Sequence, residues 1–112
     1  MKHSLISAAL IILLACGINP AYAGYDVTAK VITIEPSYMP DSLLFKLDTG
    51  FSTCTAGQWV YYYGNYYSQT DAKKNLQTVY AGLLFALASG KKVEVHSEMA
   101  GCTVVNIHPT NQ

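Results

Sequence analysis

The sequence predicts one mostly β domain with a single long helix, in the order β-β-β-α-β-β. The helix is predicted over residues 71–90, where apolar residues recur at the three- and four-residue spacing of one helical face. Short segments rich in β-branched and aromatic residues precede and follow it. Five strands with a helix between the third and the fourth is the order of the OB-fold, a small Greek-key barrel. An α+β sheet with one packed helix is the alternative.

Five segments have the composition of strands and are bounded by turn residues. They are Tyr25–Glu35, Ser42–Asp48, Gln58–Tyr63, Lys92–Ser97 and Cys102–His108. In the first strand, partial alternation places Val27, Ala29, Val31 and Thr33 on one side. In the fourth strand, Val93 and Val95 are expected to point inward.

The helix has a start signal, a stop signal and a continuous apolar stripe. Thr70 or Asp71 is the predicted N-cap, and Gly90 is the residue that closes the helix. The stripe expected to face the core is Ala72, Leu76, Val79, Tyr80, Leu83, Leu84 and Leu87. Residues off this stripe in the second half are also uncharged, which predicts either a covering loop or packing against other copies of the chain. The oligomer-interface candidates are Ala81, Phe85 and Ala88.

The first 23 residues have the layout of a signal peptide. A positively charged N-terminal segment precedes an uncharged apolar run over residues 5–16. Residues 21–23 (Ala-Tyr-Ala) fit a signal peptidase site. Cleavage after Ala23 would leave residues 24–112 as a single secreted or periplasmic domain. A lipobox-like stretch that ends at Cys16 makes a lipoprotein the less favoured alternative.

The two cysteines that remain after cleavage predict a disulfide. Cys54 and Cys102 form an even pair in an exported chain, where the compartment is oxidising. Closing a loop of this size stabilises a small domain by about 4 kcal/mol in the chain-entropy model. Such a bond matters because a domain of this length builds only a modest core.

Composition and motifs disfavour several classes of function. Residues 24–112 contain six lysines, no arginine and seven carboxylates, a formal charge of −1, so a nucleic-acid partner is not expected. The only histidines in this range are His96 and His108, and no C-x-x-C is present, so neither a metal site nor a cofactor is predicted. The sequence lacks G-x-S-x-G, a Gly-rich phosphate loop and H-E-x-x-H, so an enzyme is not expected.

Aromatic residues crowd the third strand and the segment before the helix. On a strand, Trp59, Tyr61 and Tyr63 point to one side, and Val60 and Tyr62 point to the other. An exposed tyrosine offers a rigid apolar face and a hydroxyl, which suits a sugar ring or a protein interface. The alternative is that these rings fill a small barrel and cover its rim. The candidate sugar-binding residues are Tyr61, Tyr63, Asn65, Tyr66, Tyr67 and Gln69.

The run Tyr80–Val95, YAGLLFALASGKKVEV, resembles the helix-to-strand passage of the receptor-binding B subunits of pertussis-like and subtilase-type bacterial toxins. The resemblance implies an OB-fold, a pentamer with helices around a central pore, and binding to cell-surface glycans. It also implies two further candidate glycan contacts. A serine on the family's first strand falls near Thr28, and a tyrosine after its helix falls near Ser97.

We therefore expect an exported, non-enzymatic glycan-binding subunit, a homopentamer that delivers a separate toxin A subunit to host cells. The alternative is a small secreted or periplasmic inhibitor or adaptor that binds a protein partner through the tyrosine-rich surface.

Overall fold

The computed structural model describes residues 24–64 and 69–112. Its elements are β1 Tyr25–Glu35, β2 Leu43–Leu47, β3 Trp59–Tyr62, α1 Gln69–Ser89, β4 Lys92–Ser97, β5 Thr103–Val104 and β6 Asn106–Pro109. The predicted class, mostly β with one helix, is confirmed. The predicted last strand is divided at Val105 into β5 and β6. The predicted signal peptide, residues 1–23, lies outside the described residues.

The strands form one mixed sheet of six strands in the order β5-β3-β2-β1-β4-β6. β1 pairs antiparallel with both β2 and β4, and β2 pairs antiparallel with β3. β3 then pairs parallel with β5, and β4 pairs antiparallel with β6. Because β5 and β6 are consecutive in the chain, one C-terminal segment supplies both outer strands. The arrangement is consistent with an α+β fold.

A β-bulge in β1 changes which residues face the core. The pairing with β2 shifts register between Val31 and Thr33, so Ile32 is the extra residue. After the bulge, Thr33 is exposed and Ile34 packs against the core. The prediction that Thr33 lies on the same side as Ala29 and Val31 is therefore wrong, because simple alternation does not anticipate an inserted residue.

The helix begins earlier than predicted and ends where predicted. Because α1 starts at Gln69, the predicted N-cap residues Thr70 and Asp71 lie inside its first turn. At the other end, Gly90 has a φ of 73° and its N–H donates to the Ala86 carbonyl at 3.0 Å. Glycine adopts this left-handed conformation without the steric cost that a side chain would add.

The helix is rotated relative to the predicted stripe. Its fully buried residues are Leu76, Leu83 and Ala86. Leu84 and Leu87, predicted to face the core, are 43% and 41% exposed. The reason is the docking of α1 against β1, β4 and β6, where Gly82 lies close to Pro109. A Cβ at Gly82 would lie 3.3 Å from Pro109 Cγ, so a small residue suits this contact.

The core is built from the inward-facing residues of the strands and the buried side of α1. It includes Ala29, Val31, Leu43, Phe45, Leu47, Val60, Leu83, Val93, Val95 and Val104. The alternation predicted for β4 is confirmed, since Val93 and Val95 are buried and Glu94 is exposed. No helix among the described residues is long and apolar enough to cross a membrane.

The predicted disulfide is confirmed. Cys54 and Cys102 are bonded with an S–S distance of 2.11 Å. The bond joins the loop before β3 to the residue before β5. A second link reinforces it, because the Gly101 N–H donates to Thr53 Oγ1 at 2.7 Å.

Candidate functional site

The outward face of β3 is aromatic, as its alternation predicts. Val60 and Tyr62 are buried, whereas Trp59 and Tyr61 are half-buried and Tyr63 is exposed. The Tyr62 hydroxyl hydrogen-bonds to the Asn75 side chain on α1, so this buried residue links β3 to the helix. The other three rings remain at the surface.

These rings form one wall of a groove of about 360 Å³ that crosses three strands. Glu35 on β1 pairs with Leu44 on β2, and Leu44 pairs with Tyr61 on β3. The three residues therefore form one row across the sheet. The lining residues of this groove, which we call the aromatic groove, are Glu35, Tyr38, Ser42, Leu44, Trp59, Tyr61 and Tyr63.

The rings of the aromatic groove have a defined geometry. The Tyr61 and Tyr63 rings are stacked, with centroids 6.1 Å apart and an interplanar angle of 11°. Lys46 Nζ lies 4.4 Å from the centroid of the Trp59 ring, within range of a cation–π interaction. Ring faces attract apolar C–H surfaces, while the tyrosine hydroxyls, Ser42 and Glu35 supply hydrogen-bonding groups. This combination suits a ligand with one apolar face and several hydroxyls.

A second depression lies beyond the same rings. It has a volume of about 370 Å³ and is lined by Lys46, Gly57, Gln58, Trp59, Tyr61 and Cys102. Because Trp59 and Tyr61 line both spaces, they form a ridge between two adjoining surfaces. A ligand longer than one ring could contact both sides of this ridge.

Two of the candidate sugar-binding residues, Tyr61 and Tyr63, lie together in the aromatic groove. Others, namely Asn65, Tyr66 and Tyr67, lie outside the described residues. Gln69 is the first residue of α1, and its side chain is not among those described. The binding role of all of these residues stays a prediction.

The two candidates taken from the resemblance lie elsewhere. Thr28 is on β1 opposite Glu94 of β4. Ser97 is completely buried, and its hydroxyl lies 2.8 Å from the Met99 carbonyl oxygen and 3.0 Å from that of Thr103. Neither residue lines the aromatic groove. The Ser97 hydroxyl is buried and hydrogen-bonds to backbone carbonyl groups, so its position does not support a glycan contact.

Sequence reasoning did not identify the groove residues outside β3. Glu35, Tyr38 and Ser42 precede β3 by many positions, and only strand pairing brings them to it. One signal was available, because alternation along β2 places Ser42, Leu44 and Lys46 on its outward side. The register that sets these residues beside Tyr61 could not be obtained from alternation alone.

The three interface candidates form part of a continuous exposed stripe. Ala81, Phe85 and Ala88 are exposed, and Leu84 extends the set at helical spacing. Phe85 is 61% exposed, a large value for an aromatic residue. We call these four residues the apolar stripe. Contiguous exposed apolar surface of this kind marks interaction sites more often than isolated residues do.

A histidine held by two carboxylates joins β1 to β4. His96 Nδ1 lies 2.7 Å from Asp26 Oδ1, and Nε2 contacts Glu98 Oε1. The hydrogen bonds to Glu98 and then to Asp26 raise the pKa of His96 above its ordinary value of 6.5. The folded state therefore binds the proton more tightly than the unfolded chain does.

We expect this cluster to make stability depend on pH. A raised folded-state pKa gives a contribution that is complete below the ordinary histidine value and disappears as pH rises through the folded-state value. Replacing His96→Gln should therefore destabilise the protein more at about pH 5.5 than at about pH 8.5. Urea unfolding at both pH values measures the difference, and His108→Gln on β6 is the matched control. An equal effect of His96→Gln at both pH values would contradict the assignment.

Within residues 24–64 and 69–112, no group of three or more His, Cys, Asp or Glu side chains is arranged to hold a metal ion. The candidate site is the aromatic groove, and the apolar stripe is a separate candidate surface.

Comparison with protein-family models, with curated proteins and with solved structures finds no match for this chain.

Proposed function

We propose that this chain is an exported, non-enzymatic glycan-binding subunit that assembles as a homopentamer and carries a separate A chain to host cells. The aromatic groove is the observation that carries the proposal. It combines stacked Tyr61 and Tyr63 rings with hydroxyl and carboxylate groups. Rings that receive the apolar face of a sugar, next to groups that bind its hydroxyls, are the chemistry that a glycan site needs.

The strand pairing supports an OB-fold for this subunit. β1 lies between β2 and β4, β3 pairs parallel with β5, and α1 connects β3 to β4. One C-terminal segment meets both β3 and β4, which is how a small Greek-key barrel would close. In OB-folds, the face of the second and third strands and the loop between the first two bind oligosaccharides and oligonucleotides. The aromatic groove is lined by residues of β2 and β3 and of the β1–β2 loop, which supports a binding role for it under this proposal.

The apolar stripe supports assembly, and the resemblance of residues 80–95 to toxin B subunits supports a ring that carries an A chain. A shallow groove buries little ligand area, and water competes for each hydrogen bond, so we expect weak binding at one site. Several sites presented together on one ring would provide useful avidity on a cell surface.

Alanine substitution in the aromatic groove tests the proposal. Tyr61→Ala and Tyr63→Ala should each weaken glycan binding by about tenfold or more, because each removes a ring face from the platform. The measurement is a glycan-array screen of the purified mature protein, followed by calorimetry with the best ligand. Melting temperature and oligomeric state should stay near those of the wild type.

The matched control is Tyr25→Ala, an exposed tyrosine at the opposite end of β1 from Glu35. It should leave glycan binding unchanged. If both groove substitutions lower stability and leave binding intact, the rings serve packing and the glycan site lies elsewhere.

The exposed rim of the groove also favours the alternative, a protein-binding adaptor or inhibitor. Tyr38 is 60% exposed, and tyrosine is enriched at protein interfaces. An empty glycan array, together with co-purification of one host or bacterial protein that Tyr38→Ala and Tyr61→Ala both abolish, would favour this function instead.

A further inference from the structure

The aromatic groove carries one kind of charge. Glu35 lines it together with four aromatic rings, Ser42 and Leu44. In the part of the chain that the structure describes, no lysine or histidine side chain lines this groove. The groove is therefore an apolar and aromatic surface with a carboxylate at one side.

This carboxylate is held in place. The Ser37 N–H donates to Glu35 Oε1 at 2.8 Å. Hydrogen bonds from the Ser37 side chain and backbone lower the pKa of Glu35, so it is ionised at neutral pH. None of the other described residues that line the groove carries a positive charge that could pair with this carboxylate. A carboxylate fixed by its own neighbours also loses less conformational entropy when a ligand binds.

The lysine nearest in the strand register lies two rows from Glu35 and contacts a different ring. Thr33 pairs with Lys46, and Lys46 pairs with Trp59. The Lys46 ammonium lies over the Trp59 ring at 4.4 Å, and Lys46 lines the second depression and not the aromatic groove. The charges of Glu35 and Lys46 thus belong to different sides of the aromatic ridge.

The positions of Glu35 and Tyr61 leave room for a ligand between them. They lie in one row with Leu44 in the middle, so two strand spacings of about 4.8 Å each separate their backbones. Leu44 is buried and forms the floor of this row. A sugar ring that lies against Tyr61 and Tyr63 would therefore project a substituent across Leu44 toward Glu35.

We propose that the aromatic groove takes a glycan residue with a protonated amino group, its ring on Tyr61 and Tyr63 and its ammonium at Glu35. This inference rests on the proposed glycan-binding function and specifies its ligand class. An ammonium donating to a carboxylate makes a charge-assisted hydrogen bond, stronger than a bond between neutral groups. Aromatic faces also attract cations, so the surrounding rings add to the same preference.

Paired sugar probes test the inference. Short β-linked oligomers of glucosamine carry the amine, and the same oligomers of N-acetylglucosamine carry a neutral amide in its place. We expect calorimetry to show about tenfold tighter binding of the amino oligomer, because one charge-assisted hydrogen bond distinguishes the two. Glu35→Gln should remove this preference, so that the amino oligomer binds no more tightly than the acetylated oligomer. Glu94→Gln, an exposed carboxylate on β4, is the matched control and should keep the preference.

The outcomes separate this inference from the function on which it rests. Equal binding of the two oligomers, or a preference that survives Glu35→Gln, overturns the amine assignment. Binding of other glycans on an array, without binding of the amino oligomer, overturns the amine assignment and leaves the glycan function standing. Absence of binding to any glycan overturns both.

Discussion

Removing the disulfide is expected to lower the free energy of unfolding by about 4 kcal/mol, because an open chain gains entropy when the loop is no longer closed. The loop is long, with 48 residues of sequence separation between Cys54 and Cys102. The pairing that the bond supports is short, since β3 and β5 share only two paired positions. Urea unfolding of the oxidised protein and of the double variant Cys54→Ala/Cys102→Ala measures the loss.

The double variant also supplies the control for reduction. A reducing agent should destabilise the wild type and have no effect on the double variant, which contains neither cysteine of the bond. Mass spectrometry of the exported wild type should find no free thiols at Cys54 or Cys102. Two free thiols, or equal unfolding midpoints with and without reductant, would contradict the predicted role of the bond.

Local features of this chain were predictable because their causes are local. The alternation of Val93 and Val95 in β4 requires only a period of two, and Gly90 closes α1 because of its own backbone freedom. The pairing of Cys54 with Cys102, although not local, followed from the even number of cysteines in a chain predicted to be exported. None of these predictions needed knowledge of which strands are neighbours.

Features that depend on neighbouring elements were not predictable in the same way. The bulge at Ile32 changes the side on which Thr33 lies, and it is visible only in the register with β2. Leu84 has the same hydrophobicity as Leu83, but docking of α1 against the sheet buries only Leu83. The aromatic groove also depends on which strands are neighbours. Glu35 and Tyr61 lie in one row only because β1 pairs with β2 and β2 pairs with β3. Of the seven residues that line the groove, only Tyr61 and Tyr63 were candidates from the sequence.

The exposed side of α1 changes from polar to apolar along its length. In its first half that side presents polar residues, which include Lys73, Lys74, Gln77 and Thr78. In its second half it presents the apolar stripe of Ala81, Leu84, Phe85 and Ala88. A surface helix of a monomer would normally stay polar on its exposed side. The uncovered apolar half is therefore the surface that we expect other copies of the chain to bury.

Phe85→Glu should convert the proposed oligomer to a monomer while the monomer stays folded. Burying an unpaired carboxylate in an apolar contact costs about 3 kcal/mol or more, which weakens association on the order of 100-fold. The same substitution costs the monomer little, because Phe85 is 61% exposed in the single chain. Multi-angle light scattering measures the mass, and circular dichroism with thermal melting checks the fold.

Gln77→Glu places the same charge on the polar half of the same side and is the matched control. It should leave the proposed oligomer intact, because its carboxylate remains in water. Ala81→Glu and Ala88→Glu should act like Phe85→Glu, since they extend the stripe by one turn in each direction. A wild-type protein that is monomeric at micromolar concentration would remove the pentamer from the proposed function. Glycan binding by single chains would then have to act without avidity, and a much higher affinity for one site would be required.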